Sequence, residues 1–246
     1  MELPAGLRRM LAASRPLRAA YAWSRRRSSR VRFGDLRRLR PISVWFGYDR
    51  GQPIDRYYIE SFLTRCGSDI RGRVLEIGDA SYTRQFGGPR VTRSDVLHVW
   101  ADAPGATIVG DLAAGDDIPS DSFDCVVLTQ TLHLIYDVGS AIRTLHRILA
   151  PGGVLLATFP GISPIDRGEW RDSWYWGFTP LSARRLFEDH FASPDVTIQS
   201  HGNVLSAIAF LEGLATHELR RSELDAVDLA FPVSITIRAV KQEAAV

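Results

Sequence analysis

The residues most suited to chemistry gather where short apolar runs end. The run Arg73–Ile77 closes on Glu76-Ile77-Gly78, followed by a polar turn through Asp79, Ala80, Ser81 and Tyr82. A glycine at such a point lets backbone approach a ligand closely, because no Cβ stands in the way. An acid beside it can pair with a cationic group on that ligand. Gly110-Asp111-Leu112 repeats the glycine–acid combination after a later run, and Asp95 is read as the acid that follows the weak second run. Thr129-Gln130 ends a further run, with His133 three residues on. His133 is the nearest candidate general base, because an imidazole takes and returns protons near neutrality; packing against the sheet is the competing role for it. His98 and His201 are weaker candidates, and His146 reads as structural. With only Cys66 and Cys125, a disulfide scaffold and a Cys-based zinc cluster are excluded, and no metal site is expected.

The elements that must position these residues alternate. Asp55–Leu63 has the period of an amphipathic helix, with Tyr58, Ile59 and Phe62 on one face. β-branched runs follow at Val74–Ile77, Val91–Leu97, Thr107–Val109, Cys125–Thr129 and Val154–Phe159. Ser140–Leu149 carries Ile142, Leu145, Ile148 and Leu149 at helical spacing, and Pro151-Gly152-Gly153 stops it. Such alternation predicts an α/β fold, a doubly wound and mostly parallel sheet with helices on both faces. Strand ends in open sheets of this kind are where ligands bind. Phe231–Val240 alternates like a final, antiparallel edge strand.

The chain has 246 residues and a net charge of +2, with 45% hydrophobic residues, a composition that excludes wholly disordered or collagenous classes. The near-neutral total conceals an asymmetry. Residues 1–40 hold 12 arginines against Glu2 and Asp35, a net +10, which leaves −8 for residues 41–246. The chain divides on this basis into a basic helical N-terminal arm, 1–40, and a body, 41–246. Leu3, Leu7, Met10, Leu11, Leu17 and Tyr21 fall near one helical face of the arm, interrupted at Pro16. The arm fits a helix pair with solvated arginines, or an anionic membrane surface into which Leu, Met, Tyr and Trp23 dip. An organelle transit peptide and nucleic-acid binding are weaker readings. The apolar stretch around Met10–Ala13 is too short for a secretory signal.

Five motifs in order carry a resemblance. Glu76-Ile77-Gly78, Asp95, Gly110-Asp111-Leu112, Phe123-Asp124 with Leu132-His133, and Leu149-Ala150-Pro151-Gly152-Gly153 together resemble the class I S-adenosylmethionine-dependent methyltransferases, in their small-molecule, type 11-like branch. The resemblance covers roughly residues 70–162. It implies a Rossmann-like seven-stranded sheet with an antiparallel C-terminal strand, S-adenosylmethionine as cofactor, a small-molecule acceptor and a cytoplasmic enzyme; the membrane-surface reading of the arm would add a peripheral position at the inner membrane face. Carried over residue by residue, it implies that Glu76, Gly78 and Ala80 flank the methionine part of the cofactor. Asp95 would hold the ribose hydroxyls, Asp111 and Leu112 would contact adenine, and Thr129 and Gln130 would line the sulfonium. Asp124 is implied to be a structural residue at the start of its strand. The chain departs from the family where second and third glycines are expected, at Ala80 and Tyr82.

Two aromatic stretches outside the motifs read as lids, Trp45–Tyr58 and Trp170–Phe178, suited to stacking on a ring-shaped or sugar acceptor, or else to covering the sheet. Arg50 is placed to meet a carboxylate or phosphate, or merely Asp49 or Asp55. The expected activity is methyl transfer to oxygen or nitrogen of a small molecule. The alternative is a non-catalytic binding module that uses the arm and the lids. A dinucleotide enzyme is disfavoured by the lack of Gly-x-Gly-x-x-Gly after the first strand.

Overall fold

The structure, a computed structural model, describes residues 4–28, 33–115 and 117–243. It separates into two units, Met1–Leu39 and Arg40–Val246. The first contains α1 (Ala5–Ala13) and α2 (Arg15–Ser28), joined at Ser14. The parts of the basic arm at residues 1–3 and 29–32 lie outside the described residues.

The second unit holds α3 (Ile54–Arg65), β1 (Gly72–Ile77), β2 (Val91–His98), β3 (Ile108–Val109), β4 (Phe123–Thr129), α4 (Val138–Ile148), β5 (Leu149–Pro160), α5 (Pro180–Glu188), β6 (Val196–His201), α6 (Val204–Leu211), α7 (Arg221–Asp225) and β7 (Ser234–Val240). Its sheet has seven strands in the order β3-β2-β1-β4-β5-β7-β6. β1 to β5 pair in parallel, while β7 runs antiparallel to both β5 and β6. Phe231–Val240 therefore does not make the edge expected of it. Its strand part is inserted between β5 and β6, and buried side chains from Ser234 to Ile237 suit that interior place.

β4 is apolar and buried over Cys125–Leu128, as a strand covered on both faces must be. On one face Val126 and Leu128 join Leu75, Leu97, Leu145, Phe159 and Phe187 beneath α4 and α5. On the other, Val127 joins Val74 and Leu156 beneath Ile59, Phe62 and Leu63 of α3. α4 buries Val138, Ala141, Ile142, Leu145 and Ile148, the i, i+3, i+4, i+7 stripe of an amphipathic helix. Its N-terminus is capped by the Asp137 carboxylate, which accepts the Ser140 N–H at 3.0 Å. The Pro151-Gly152-Gly153 stop operates inside β5, which starts directly after α4 and shows a register break against β4.

Two connections differ from a fully doubly wound sheet. Residues 78–90, between β1 and β2, hold a short helical stretch, α at Ser81 and Tyr82, then a π turn (Thr83–Gly87) and a 3-10 turn (Gly88–Arg90), in place of a full α-helix. That length is near the minimum for a parallel crossover. Between β3 and β4 the described residues also form turns only.

Candidate functional site

β1 and β4 are parallel neighbours that end at the same rim. Glu76 pairs with Val127, so Gly78 stands level with Thr129. Gly78 has φ +92°, and its N–H donates to the Leu97 carbonyl at 3.0 Å. Among the described residues no atom lies within 4 Å of where a Cβ would stand, so the turn is open there. Glu76 is buried, and its carboxylate accepts the N–H groups of Tyr82 at 3.1 Å and Thr83 at 2.7 Å. Burial pushes its pKa up. Both carboxylate oxygens thus organise the turn behind Gly78. Ala80 is buried in that turn, and its carbonyl accepts the Arg84 N–H at 3.0 Å. The Tyr82 ring packs with Phe86, 5.9 Å between centroids, against the α3 cluster, and burial pushes its phenol up to about 12. The departure from the family's glycines is therefore absorbed behind the turn, and Gly78 stays open.

Asp95 is a correction to the sequence reading. It pairs with Leu75, three residues before the end of β2, so it sits about 10 Å below the rim. Its side chain is 2% exposed and is held by Arg73 Nε at 2.7 Å, Arg93 Nη2 at 3.1 Å and Thr107 Oγ1 at 3.2 Å. Burial alone would raise its pKa, but the hydrogen bonds from Arg73 and Arg93 outweigh that and hold it below the ordinary carboxylate range. A carboxylate so engaged holds β2 to β1. The weak strand runs one residue longer than expected, to His98. His98 Nδ1 accepts the Trp100 N–H at 3.1 Å, so the neutral ring carries its proton on Nε2.

His133 stands in a short 3-10 turn just past β4. It is 1% exposed, its Nδ1 has no partner among the described residues, and burial lowers its pKa to about 3. Trp174 meets it edge-on at 4.3 Å, and the Tyr175 N–H donates to its carbonyl at 3.0 Å. Gln130 takes φ +48°, an uncommon value for a residue with a side chain, and its Nε2 is buried without a partner among the described residues. Its N–H donates to Thr158 O at 2.9 Å, which anchors the end of β4. Thr129 is half-buried beside it, in register with Thr158. Two unmatched polar groups thus lie past one strand end, next to an open glycine turn.

The two aromatic stretches meet here. Phe46 stacks on Trp174 at 6.1 Å, which joins the 45–58 stretch to the 170–178 stretch beside His133. Tyr136, Tyr175 and Trp176 form an exposed group next to them, and Trp176 Nε1 donates to Ile135 O at 3.0 Å. Trp170 stacks on Trp100 at 5.6 Å and 7°, linking the lid to the end of β2. Sequence reasoning did not single out Trp100; the signal available was its position just past the second strand. Asp111 is exposed at the end of β3, and its carboxylate accepts the Ala113 N–H at 2.8 Å, while Leu112 is buried in the main core. Asp124 accepts the Arg73 N–H at 2.7 Å, which makes it a structural contact at the start of β4. Arg50 pairs with neither Asp49 nor Asp55. Its Nε donates to Glu218 at 3.0 Å, which removes it from the rim's chemistry.

Residues 78–157 match the methyltransferase-domain family. A SAM-dependent methyltransferase from Archaeoglobus fulgidus is similar over 76% of this chain and 94% of its own, at 14% identity and a TM-score of 0.51. Phosphoethanolamine N-methyltransferase 2 of Haemonchus contortus, solved with phosphomonomethylethanolamine and S-adenosylhomocysteine, is similar over 76% of this chain and 53% of its own, at 15% identity and a TM-score of 0.52. The cyclase SpnF shares the fold over 76% of this chain and 82% of its own, at 15% identity and a TM-score of 0.51. No curated protein matches the chain at a significant level. The matched segment runs from Gly78 at the end of β1 to Ala157 in β5, and the seven-stranded sheet that carries it has the fold shared with these solved structures.

Proposed function

We propose that the chain binds S-adenosylmethionine across the Gly78 turn and directs its methyl group to an oxygen or nitrogen of a small acceptor, with a sugar or glycan precursor suited to the ring-lined lid. The observation that carries this reading is the open Gly78 turn beside the buried, unpartnered Gln130 amide and His133 imidazole. Those groups fit the cofactor's polar end. The Gln130 amide can donate to a carboxylate, and the turn held by Glu76 leaves backbone free to approach it. Asp111 is free to meet an amino group at the adenine end, and Leu112 supports that wall from the core. With Asp95 engaged elsewhere, His98 Nε2–H is the donor offered at the ribose level. When bound, the cofactor supplies an electrophilic methyl on a sulfonium, and it brings its own leaving group.

The chain's part is alignment and exclusion of water. Trp174, held between Phe46 and His133, covers the rim and must shift for an acceptor to enter. His133 is neutral across the physiological range, so it accepts a proton weakly and suits holding an acceptor hydroxyl better than ionising it. Isothermal titration with S-adenosylhomocysteine tests the reading. Micromolar binding that is lost in Gly78→Val and kept in Asp95→Ala is expected; no binding by the folded wild-type protein overturns it. The commitment of Asp95 and the burial of His133 favour a second reading, a binding module without turnover. That reading expects the same titration but no methyl loss from S-adenosylmethionine with sugar, amine or phenol acceptors.

A further inference from the structure

We propose that the N-terminal unit is a membrane-surface anchor that lays α1 and α2 into the interface of an anionic lipid leaflet. The two helices carry seven arginines and no acid in their sequences, within a segment whose net charge is +10 over residues 1–40. Leu7, Met10 and Leu11 fall at i, i+3, i+4 on α1, while Leu17, Ala20 and Tyr21 repeat that spacing on α2. Arg9, Arg15 and Arg18 stand off those stripes and are exposed. Among the described residues of the unit none is buried, and Met10, Leu17 and Trp23 are 57%, 45% and 58% exposed. Helices of 9 and 14 residues are too short to hold themselves in water without burying their apolar stripe.

Charge decides the kind of surface that covers them. A stripe of Leu, Met and Tyr flanked by arginine is the pattern of a helix lying in a headgroup layer, where the rings and alkyl chains sink and the guanidiniums stay with lipid phosphates. Arginines clustered along such a helix are drawn to an acidic leaflet and released by salt. Duplex nucleic acid would be served by the same charge but would leave the apolar stripe uncovered. No helix of the described residues is long and apolar enough to cross a membrane, so the contact is one of lying on the surface. An anchor of this kind would hold the catalytic unit beside lipid-borne acceptors.

The experiment is co-sedimentation of the full-length protein with vesicles of pure phosphatidylcholine and with vesicles about one-third phosphatidylglycerol. Most of the protein is expected to pellet with the anionic vesicles and to stay in solution with the neutral ones, and release by about 0.5 M salt is expected. The triple variant Leu7→Ser, Leu11→Ser, Leu17→Ser is expected to lose at least about tenfold in vesicle affinity while its thermal unfolding stays that of the wild type. No pelleting with anionic vesicles overturns the proposal. So does a triple variant that binds as well as the wild type, which would reduce the contact to adsorption by charge. Tighter binding to duplex DNA than to anionic vesicles at equal salt overturns it as well. All of these outcomes are independent of cofactor binding.

Discussion

On the β5 side of β4, the sheet is packed against helices and stitched by long antiparallel ladders. On the β1 side, it narrows quickly. β5 is buried from Val154 to Pro160, and Phe159 lies between Phe178 and Phe187. β2, by contrast, exposes Thr92, Arg93 and Ser94 and buries only Asp95, Val96 and Leu97, while β3 is two residues long. No full α-helix covers either crossover among the described residues there, and the ion pairs of Asp95 do part of the work that apolar packing does elsewhere. The helix-poor half is also the half with the open glycine turn. Ligand access needs uncovered backbone at the rim, and a helix-poor crossover leaves it uncovered at the cost of stability.

Substitutions can break that contrast. Phe159→Ala should cost about 3–5 kcal/mol and lower Tm by about 10 °C, read by calorimetry. Val96→Ala, buried in the helix-poor half, should cost about 1–2 kcal/mol; a loss as large as that of Phe159→Ala would remove the contrast between the halves. Gly78→Val should cost about 1–3 kcal/mol, because φ +92° is unfavourable for a branched residue, and should also remove S-adenosylhomocysteine binding. Asp95→Ala should cost about 1–2 kcal/mol near neutral pH and leave binding intact. Since the folded Asp95 pKa is depressed, its contribution is present above the unfolded value and fades as pH falls through the folded one. Denaturant titrations of Asp95→Ala should therefore lack part of the wild type's acid-side loss. The effect of His133 shows only as the solution turns acid. With its folded pKa lowered to about 3, the unfolded chain takes up the proton first, so stability should decline as pH drops from about 6.5 towards 3. His133→Gln should flatten that decline, and no inflection from His133 should appear in activity between about pH 5 and 9.

Much of the architecture was legible because burial on two faces leaves a plain mark. The runs at Val74–Ile77, Cys125–Thr129 and Val154–Phe159 all became strands, and the stripe of Ser140–Leu149 became α4, shifted towards its Asp137 cap. The motifs that end β1 and β4 stand at one rim as spacing implied, with Gly78 level with Thr129. Register was not legible. Whether Asp95 stood at the end of its strand or three residues inside depended on where β2 stops, and that is set by pairing with β1 rather than by anything local.

Residue order alone determined the alternation of strand and helix, the basic arm and the glycine turn, because each follows from local propensity, charge and pattern. Tertiary structure decided which carboxylates are spoken for. Arg73 and Thr107 reach Asp95, Glu218 reaches Arg50, and Trp174 reaches His133, all from distant parts of the chain. Hydrogen bonds and burial act over a few ångströms in space whatever the separation in sequence, so the availability of a side chain emerges only once the sheet has closed.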